Sequence, residues 1–355
     1  MDALRTGDLL NASMQYDNIT SIRFTSPIQD AIIEKTETTC DWKDDERMEE
    51  RRAGSRRLLG NGLLLLTALI WGMAFVAQRQ GMDSIEPITF CAARMTLSAL
   101  AVGLVTVLTG RNDRRPEAER RGRNRASLIG GLCSGAFLAT ATVTQQIGLV
   151  TTTAGKAGFI TAMYMLLVPV VGFVLFRKKN TWLVWLAVLV GVAGLYLLCV
   201  NEDFSLTRGD AMVCVCAVLF TGQILCIDHF ALRADPIRMS AVQFIVSTAV
   251  CGAAAFILEA PTWEKVASAA IPILYCGILS GAVGYTLQIV GQRYTNPTVA
   301  SLLMSLESVF AAIGGALVLG ERMRPRELLG CVVMFAAIVL VQLPLPRQRK
   351  GDGAA

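Results

Sequence analysis

The chain has 355 residues, of which 53% are hydrophobic and 17% are charged, and its formal net charge is +5. Long apolar runs and a positive mean hydropathy exclude most classes of soluble enzyme, because apolar segments of this length are dissolved in lipid. A lipid-embedded β-barrel would instead show short segments of alternating hydrophobicity. The predicted fold class is therefore an all-α polytopic membrane protein.

The chain begins with a polar segment, residues 1–55, whose mixed charges predict a disordered cytoplasmic tail. Met48 is an alternative start, because the stretch MEERRAGSRRLLGN would then be a short basic lead into the first apolar segment. We expect no cleavable signal peptide, since that apolar segment starts far from Met1 and is long enough to remain as an anchor.

Ten apolar segments of about twenty residues follow, and each can cross a hydrocarbon core of roughly 30 Å as a helix. We number them spans 1 to 10: 58–77, 87–109, 127–146, 153–176, 181–200, 209–228, 236–258, 267–290, 297–319 and 327–345. A short tail, residues 346–355, completes the chain and is expected in the cytoplasm.

Basic residues cluster in alternate loops: before span 1, between spans 2 and 3, and after span 4. Cytoplasmic loops carry an excess of Lys and Arg, so both termini are predicted to be cytoplasmic. The positive charge thus indicates orientation, and we expect no nucleic-acid partner. One loop disagrees, because Arg322, Arg324 and Arg326 would lie outside.

The first five and last five spans are weakly similar. Three features recur in order: Pro87 and Pro236, the GxxxG pairs at 131–135 and 277–281, and QQIG at 145–148 with QIVG at 288–291. Corresponding residues of the two copies are 149 residues apart at the prolines, 146 at the GxxxG pairs and 143 at the glutamines. We call the first separation the proline interval and the last the glutamine interval. This order indicates a duplication with repeats at 56–202 and 203–345. Five spans is an odd number, so the second repeat is predicted to be inverted, as in carriers that work by alternating access.

Three ionisable residues fall inside the spans: Arg94, Lys156 and Glu307. Each would cost about 2.5–3.5 kcal/mol or more if it faced lipid, so they are predicted to face a cavity or one another. Two bases suit a carboxylate-bearing substrate, and the acid suits a base, an amine or a proton. The alternative is a structural ion pair between the repeats.

Other candidate substrate-binding residues share helical faces with one another or with these charges. Trp71, Phe75 and Gln78 lie at positions i, i+4 and i+7, and Tyr164 lies near the face of Lys156. Gln243 occupies the place in span 7 that Arg94 has in span 2. Ordinary packing explains the aromatic residues about as well. Interhelical hydrogen bonding would explain the other glutamines of the spans: Gln145, Gln146, Gln223 and Gln288.

No cofactor, metal or catalytic site is predicted. Nine of the ten cysteines fall within spans, where they act most simply as small packing residues. His229 is the single histidine, and none of the common hydrolase, zinc-protease or dinucleotide motifs occurs.

Five stretches of this sequence resemble the drug/metabolite transporter superfamily, specifically its ten-helix EamA-type members. They are ALIWGMAFVAQRQGMD at 68–83, TFCAARMTLSAL around Arg94, GKAGFITAMYMLLVPVVG at 155–172, GVAGLYLL at 191–198 and NPTVASLLMSLESVFAAIGGALVLGERMRPRELLG at 296–330. The resemblance implies a bacterial inner-membrane carrier with cytoplasmic termini and a central cavity. Family members often have Glu-Pro in span 9, where this chain has Glu307–Ser308, so a proline-dependent kink is in doubt.

The predicted function is secondary transport in the lipid bilayer, exporting amino acids or other small organic metabolites. Proton coupling and uniport are both compatible with these residues, and the oligomeric state is open. Multidrug efflux is the alternative within transport, and a membrane scaffold that transports nothing is the alternative outside it.

Overall fold

The structure is a computed structural model that describes residues 27–110, 116–152, 154–178, 180–199, 207–318 and 325–342. Within those ranges it is helical and contains no strand. The α-helices are α1 Pro27–Gly81, α2 Pro87–Gly110, α3 Glu117–Thr151, α4 Ala154–Ala162, α5 Tyr164–Phe176, α6 Trp182–Cys199, α7 Arg208–Ala231, α8 Pro236–Leu258, α9 Trp263–Ser268, α10 Ala270–Leu274, α11 Thr286–Gln292, α12 Pro297–Met304, α13 Glu307–Val318 and α14 Pro325–Gln342. A π-helix, Tyr275–Tyr285, joins α10 to α11.

The chain divides into two compact units, Met1–Arg56 and Arg57–Ala355. The first unit contains most of the predicted N-terminal tail. Its described residues, from Pro27 onward, are helical, whereas the sequence predicted disorder over 1–55. Residues 1–26 lie outside the described part of the chain. The second unit contains all ten apolar segments.

Within the described part of the chain, seven helices are long and apolar enough to cross a membrane: Ala53–Gly81, Pro87–Thr109, Glu117–Thr151, Arg208–Ala231, Pro236–Leu258, Ala270–Gln292 and Pro297–Val318. Three shorter apolar helices, Ile160–Phe176, Trp182–Gly194 and Leu328–Leu340, coincide with predicted spans 4, 5 and 10. Large apolar side chains cover the outside; Leu104 is 62% exposed and Phe256 78%. Such a surface is favourable only in lipid, so this is a multi-pass membrane protein.

Predicted spans 4 and 9 are broken helices. Span 4 is interrupted at Met163, and span 9 at Ser305 and Leu306. Near the second break the Ser305 hydroxyl donates to the Leu302 carbonyl at 2.7 Å, three residues back. Such bonds compete with the i to i−4 ladder of an α-helix. Span 9 breaks directly before Glu307 although no proline follows that residue.

The GxxxG pairs of the two repeats lie at corresponding interfaces. A Cβ on Gly135 of α3 would lie 2.7 Å from the Gln243 carbonyl oxygen of α8, and one on Gly281 would lie 2.0 Å from the Ser98 hydroxyl of α2. Only glycine permits such close helix packing. The third helix of each repeat thus packs on the second helix of the other.

Two further hydrogen bonds join the repeats, one at each of two corresponding places. We call these contacts the Asp210 clasp and the Asn61 clasp. In the first, the Thr152 hydroxyl donates to Asp210 Oδ1 at 2.8 Å; in the second, the Thr295 hydroxyl donates to Asn61 Oδ1 at 2.9 Å. The two threonines are separated by the glutamine interval, and their two acceptors by the proline interval. The duplication read from the sequence is thus present in the contacts.

Candidate functional site

A small cavity of about 30 Å³ lies among helices of both repeats. Its lining combines aromatic rings, amides and two ionisable groups, a composition suited to a small organic ligand. The lining residues are Trp71, Ala74, Phe75, Gln78, Arg94, Gln145, Thr161, Tyr164, Phe220, Gln223, Ile224, Ser280, Tyr285, Gln288 and Glu307.

Six of the eight residues predicted for the site line this cavity: Trp71, Phe75, Gln78, Arg94, Tyr164 and Glu307. Gln243 is buried on α8 and contacts the lining residue Gln223, but it does not itself line the cavity. Lys156 belongs to α4, and its side chain lies outside the part of the chain that the structure describes. Its predicted role therefore remains a prediction.

Arg94, on α2, is 5% exposed. Its Nη2 donates to the Cys91 sulfur at 3.8 Å, and its Cζ lies 5.7 Å from the centre of the Phe90 ring. The buried Nε atom has no hydrogen-bond partner among the described residues. Within the same ranges no carboxylate lies within 4.0 Å of the guanidinium. Most of its five N–H groups are thus available to something in the cavity.

Glu307 and Tyr164 meet across the cavity at the two helix breaks. Tyr164 is the first residue of α5 and Glu307 the first of α13, and the Tyr164 hydroxyl donates to Glu307 Oε1 at 3.0 Å. The start of a helix favours a carboxylate, because its free N–H groups carry partial positive charge. Glu307 is 3% exposed, and its partner in the described structure is this neutral hydroxyl. It does not form the structural ion pair with Arg94 that the sequence left open.

The aromatic wall is positioned by the π-helix. Trp71 Nε1 donates to the Ser280 carbonyl at 3.1 Å, and the Trp71 and Tyr285 rings lie 4.6 Å apart. π-helical turns often occur at functional sites, because they turn side chains away from the α-helical register. Trp71, Phe75 and Gln78 follow one face of α1, as predicted, whereas nothing in the sequence indicated the π-helix.

Three glutamines from α7, α8 and α11 form a hydrogen-bonded ladder. Gln223 and Gln288 exchange bonds of 3.1 Å in both directions, and Gln223 also donates to Gln243 at 3.5 Å. Gln145 donates to the Thr161 hydroxyl at 3.1 Å. The sequence assigned Gln145, Gln223 and Gln288 to helix association, and all three also line the cavity.

The residues that sequence reasoning missed had a usable signal in the duplication. Phe220 follows Trp71 by the proline interval, and Gln288 follows Gln145 by the glutamine interval. Applying the proline interval to the candidate Trp71 would have found Phe220, whereas Gln145 had itself been assigned to helix association. Thr161, Ser280 and Tyr285 carried no such signal, because their counterparts were not candidates.

A polar cavity between two helical repeats, surrounded by lipid-facing apolar surface, is the arrangement of a membrane transporter. The EamA-like transporter family matches the chain twice, over residues 58–200 and 207–343. The chain belongs to this family, within the drug/metabolite transporter superfamily, and is a transporter rather than an enzyme.

Relatives are similar over most of their length. An uncharacterized transporter of Archaeoglobus fulgidus is 28% identical, covering 82% of this chain and 88% of its own. A probable terminal-alkyne amino-acid exporter of Streptantibioticus cattleyicolor is 24% identical, covering 81% and 95%. A WAT1-related chloroplastic protein of Arabidopsis thaliana is 27% identical, covering 83% and 74%.

One crystal structure superposes with a TM-score of 0.65 at 17% identity, covering 81% of this chain and 96% of that protein. At this identity the superposition shows the fold alone. Its agreement over almost the whole of the other protein indicates that the two-repeat unit is the shared structure.

Proposed function

We propose that this protein is a secondary carrier that exports amino acids or other small organic metabolites by alternating access. The observation that carries the proposal is the cavity between the repeats, in which a buried base, a buried acid and aromatic rings face one small volume.

The proposed topology has ten spans, formed by the seven long apolar helices and the three shorter ones. Five spans in each repeat, 56–202 and 203–345, would insert in opposite orientations with both termini in the cytoplasm. The basic loops favour this orientation, and the family resemblance favours the bacterial inner membrane. Cysteine labelling of single loops in intact cells tests it. Labelling of the 320–326 loop from the cytoplasm would contradict it.

In this proposal the six predicted residues that line the cavity bind substrate: Trp71, Phe75, Gln78, Arg94, Tyr164 and Glu307. The aromatic wall would hold the apolar part of the cargo, and Arg94 would hold an anionic group. Gln243 would act through Gln223, the amide it contacts. Lys156 remains proposed as a second base on the same pathway.

The decisive experiment is flux into proteoliposomes that contain the purified protein. We expect saturable transport of one or more amino acids, with nucleosides and large cationic drugs transported poorly. Protein-free liposomes give the background. Flux of none of these compounds, with or without a proton gradient, would contradict transport and favour a scaffold.

Multidrug efflux is the second candidate, and the aromatic wall of Trp71, Phe75 and Tyr285 favours it. The buried guanidinium of Arg94 argues against it, because its positive charge would repel cationic drugs. Broad flux of cations and no flux of amino acids would establish this alternative.

Proton coupling is proposed through Glu307. The Glu307→Gln variant keeps the shape of the side chain but cannot release a proton, so transport should no longer depend on the proton gradient. The measurement is flux with and without an imposed gradient. Unchanged gradient dependence in this variant would show that protons, if used, bind elsewhere.

A further inference from the structure

The two ionisable side chains of the cavity come from different repeats and face it without a charged partner among the described residues. Arg94 belongs to the first repeat, and its Nε atom is buried with no hydrogen-bond partner in those ranges. Glu307 belongs to the second repeat, and its described hydrogen bond uses Oε1 and a neutral hydroxyl. Arg94 is 5% exposed and Glu307 3%, so both are almost completely buried.

These charges do not recur at the corresponding positions of the other repeat. The counterpart of Arg94 at the proline interval is Gln243, and the counterpart of Glu307 at the glutamine interval is Tyr164. Each position therefore has an ionisable residue in one repeat and a neutral one in the other. An ionisable residue that only one repeat has, in a place where its charge is costly, indicates a function such as ligand binding.

Burying an unpaired charge is unfavourable by several kcal/mol, and the cavity contains one base and one acid. A singly charged ligand would compensate one side chain and leave the other. A ligand with opposite charges at its two ends would compensate both and would add no net charge to the membrane interior.

We infer that the cavity binds a dipolar substrate, with a carboxylate on Arg94 and a protonated amine on Glu307. The inference rests on the transporter role proposed above and deepens it. Arginine has a planar fork of donors that matches a carboxylate, and Arg94 keeps most of its donors available. An ammonium group would donate to the Glu307 carboxylate beside the Tyr164 hydroxyl, which already donates to Oε1.

The arrangement also fixes the orientation of the substrate. Its acidic end points to the first repeat and its basic end to the second, and the apolar remainder lies against the aromatic wall. A symmetric cavity would accept either orientation. Arg94 and Glu307 are therefore proposed as the specificity-determining residues.

The test uses four compounds of one carbon skeleton: an α-amino acid, its decarboxylated amine, its deaminated acid and its N-acetyl derivative. Competition with flux of the amino acid is measured in proteoliposomes. For the wild type we expect each of the three analogues to compete at least about tenfold more weakly, the loss of one charge-assisted hydrogen bond.

Variants then separate the two ends. In Arg94→Gln the preference for the amino acid over its amine should fall about tenfold, with the preference over the deaminated acid kept. Glu307→Gln should show the reverse. The matched controls Arg94→Lys and Glu307→Asp keep the charge and should keep most of the preference. Elution volume and thermal stability in detergent show whether each variant is folded.

The outcomes are distinguishable. Analogues that compete as well as the amino acid in the wild type overturn the inference, and this measurement needs no variant. Amino-acid flux with unchanged preferences in both glutamine variants also overturns it, while the transport role stands. A wild-type protein that moves none of the four compounds, nor any others tested, overturns both.

Discussion

The two repeats are alike where they touch each other, and in the cavity they differ at the two ionisable residues. Both clasps, both GxxxG interfaces and the serines at 98 and 247 recur; each serine hydroxyl donates 2.8 Å to the carbonyl four residues earlier. In the cavity, by contrast, Arg94 occupies a position matched by glutamine, and Glu307 one matched by tyrosine. The shared contacts are the scaffold, and the differences are where the chemistry specific to this protein lies.

The largest expected effect tests the scaffold. A Cβ at Gly281 would lie 2.0 Å from the Ser98 hydroxyl, whereas one at Gly252 would meet nothing within 4 Å. Gly281→Val should cost about 1–3 kcal/mol or more and lower the yield of folded protein, because two helix backbones must separate. Gly252→Ala is the control and should behave as wild type. Equal yields and melting temperatures for both variants would show that this close approach is not required.

A smaller effect is expected where the two broken helices meet. Tyr164→Phe removes the hydroxyl that donates to Glu307 and leaves a buried carboxylate with one partner fewer, at a cost of about 1–3 kcal/mol. We expect a lower melting temperature and slower flux. Tyr285→Phe is the matched control in the same cavity and should change the melting temperature less. A Tyr164→Phe variant as stable as wild type would show that this contact does not support the fold.

The two clasps differ in their hydrogen-bond acceptor, which is the ionisable Asp210 in one and the neutral Asn61 in the other. Asp210 is fully buried and also accepts from the Thr207 backbone N–H at 2.7 Å, so its clasp contains a hydrogen bond to a charged group. Removing its donor in Thr152→Val should cost about 1.5–3 kcal/mol, against about 0.5–1.5 kcal/mol for Thr295→Val at the Asn61 clasp. The measurement is thermal unfolding in detergent. A larger loss of stability for Thr295→Val than for Thr152→Val would show that the Asn61 clasp, and not the Asp210 clasp, contains the stronger hydrogen bond.

The smallest effect concerns pH and a pair outside the spans. Lys265 donates a hydrogen bond to Glu86 and thereby lowers the pKa of that carboxyl from its ordinary value. A lowered pKa stabilises the fold fully above the unfolded value of about 4.3, and this stabilisation is lost as the pH falls through the folded value. Lys265→Met should therefore reduce the pH dependence of the melting temperature between about pH 5 and pH 3. The effect is small because both side chains are more than one-third exposed.

The counterpart of this pair is Arg123 with Asp235, at 3.6 Å. Asp235 follows Glu86 by the proline interval, and Lys265 follows Arg123 by nearly the glutamine interval, so each repeat contributes one base and one acid. A pH profile unchanged by Lys265→Met would show that the pair does not affect stability.

Much of the candidate site was predictable because a charge in a lipid-spanning segment has few places to go. Arg94 and Glu307 had to face a cavity or a partner, and the helical period placed Trp71, Phe75 and Gln78 on one face. Gln243 corresponds in position to Arg94, but it contacts the lining residue Gln223 and does not itself line the cavity, so its role stays a prediction. Span 9 lacks the proline after Glu307 that would kink it, and it is nevertheless broken directly before that residue.

The sequence by itself determined the all-helical membrane class, the duplication and the family, because length, hydropathy and spacing are local properties of the chain. Only the tertiary structure decided which residues meet. The contact between Tyr164 and Glu307 depends on two helix breaks in different repeats, and the position of Tyr285 depends on a π-helix. Neither is written in a periodic pattern, because each arises from the packing of one repeat against the other.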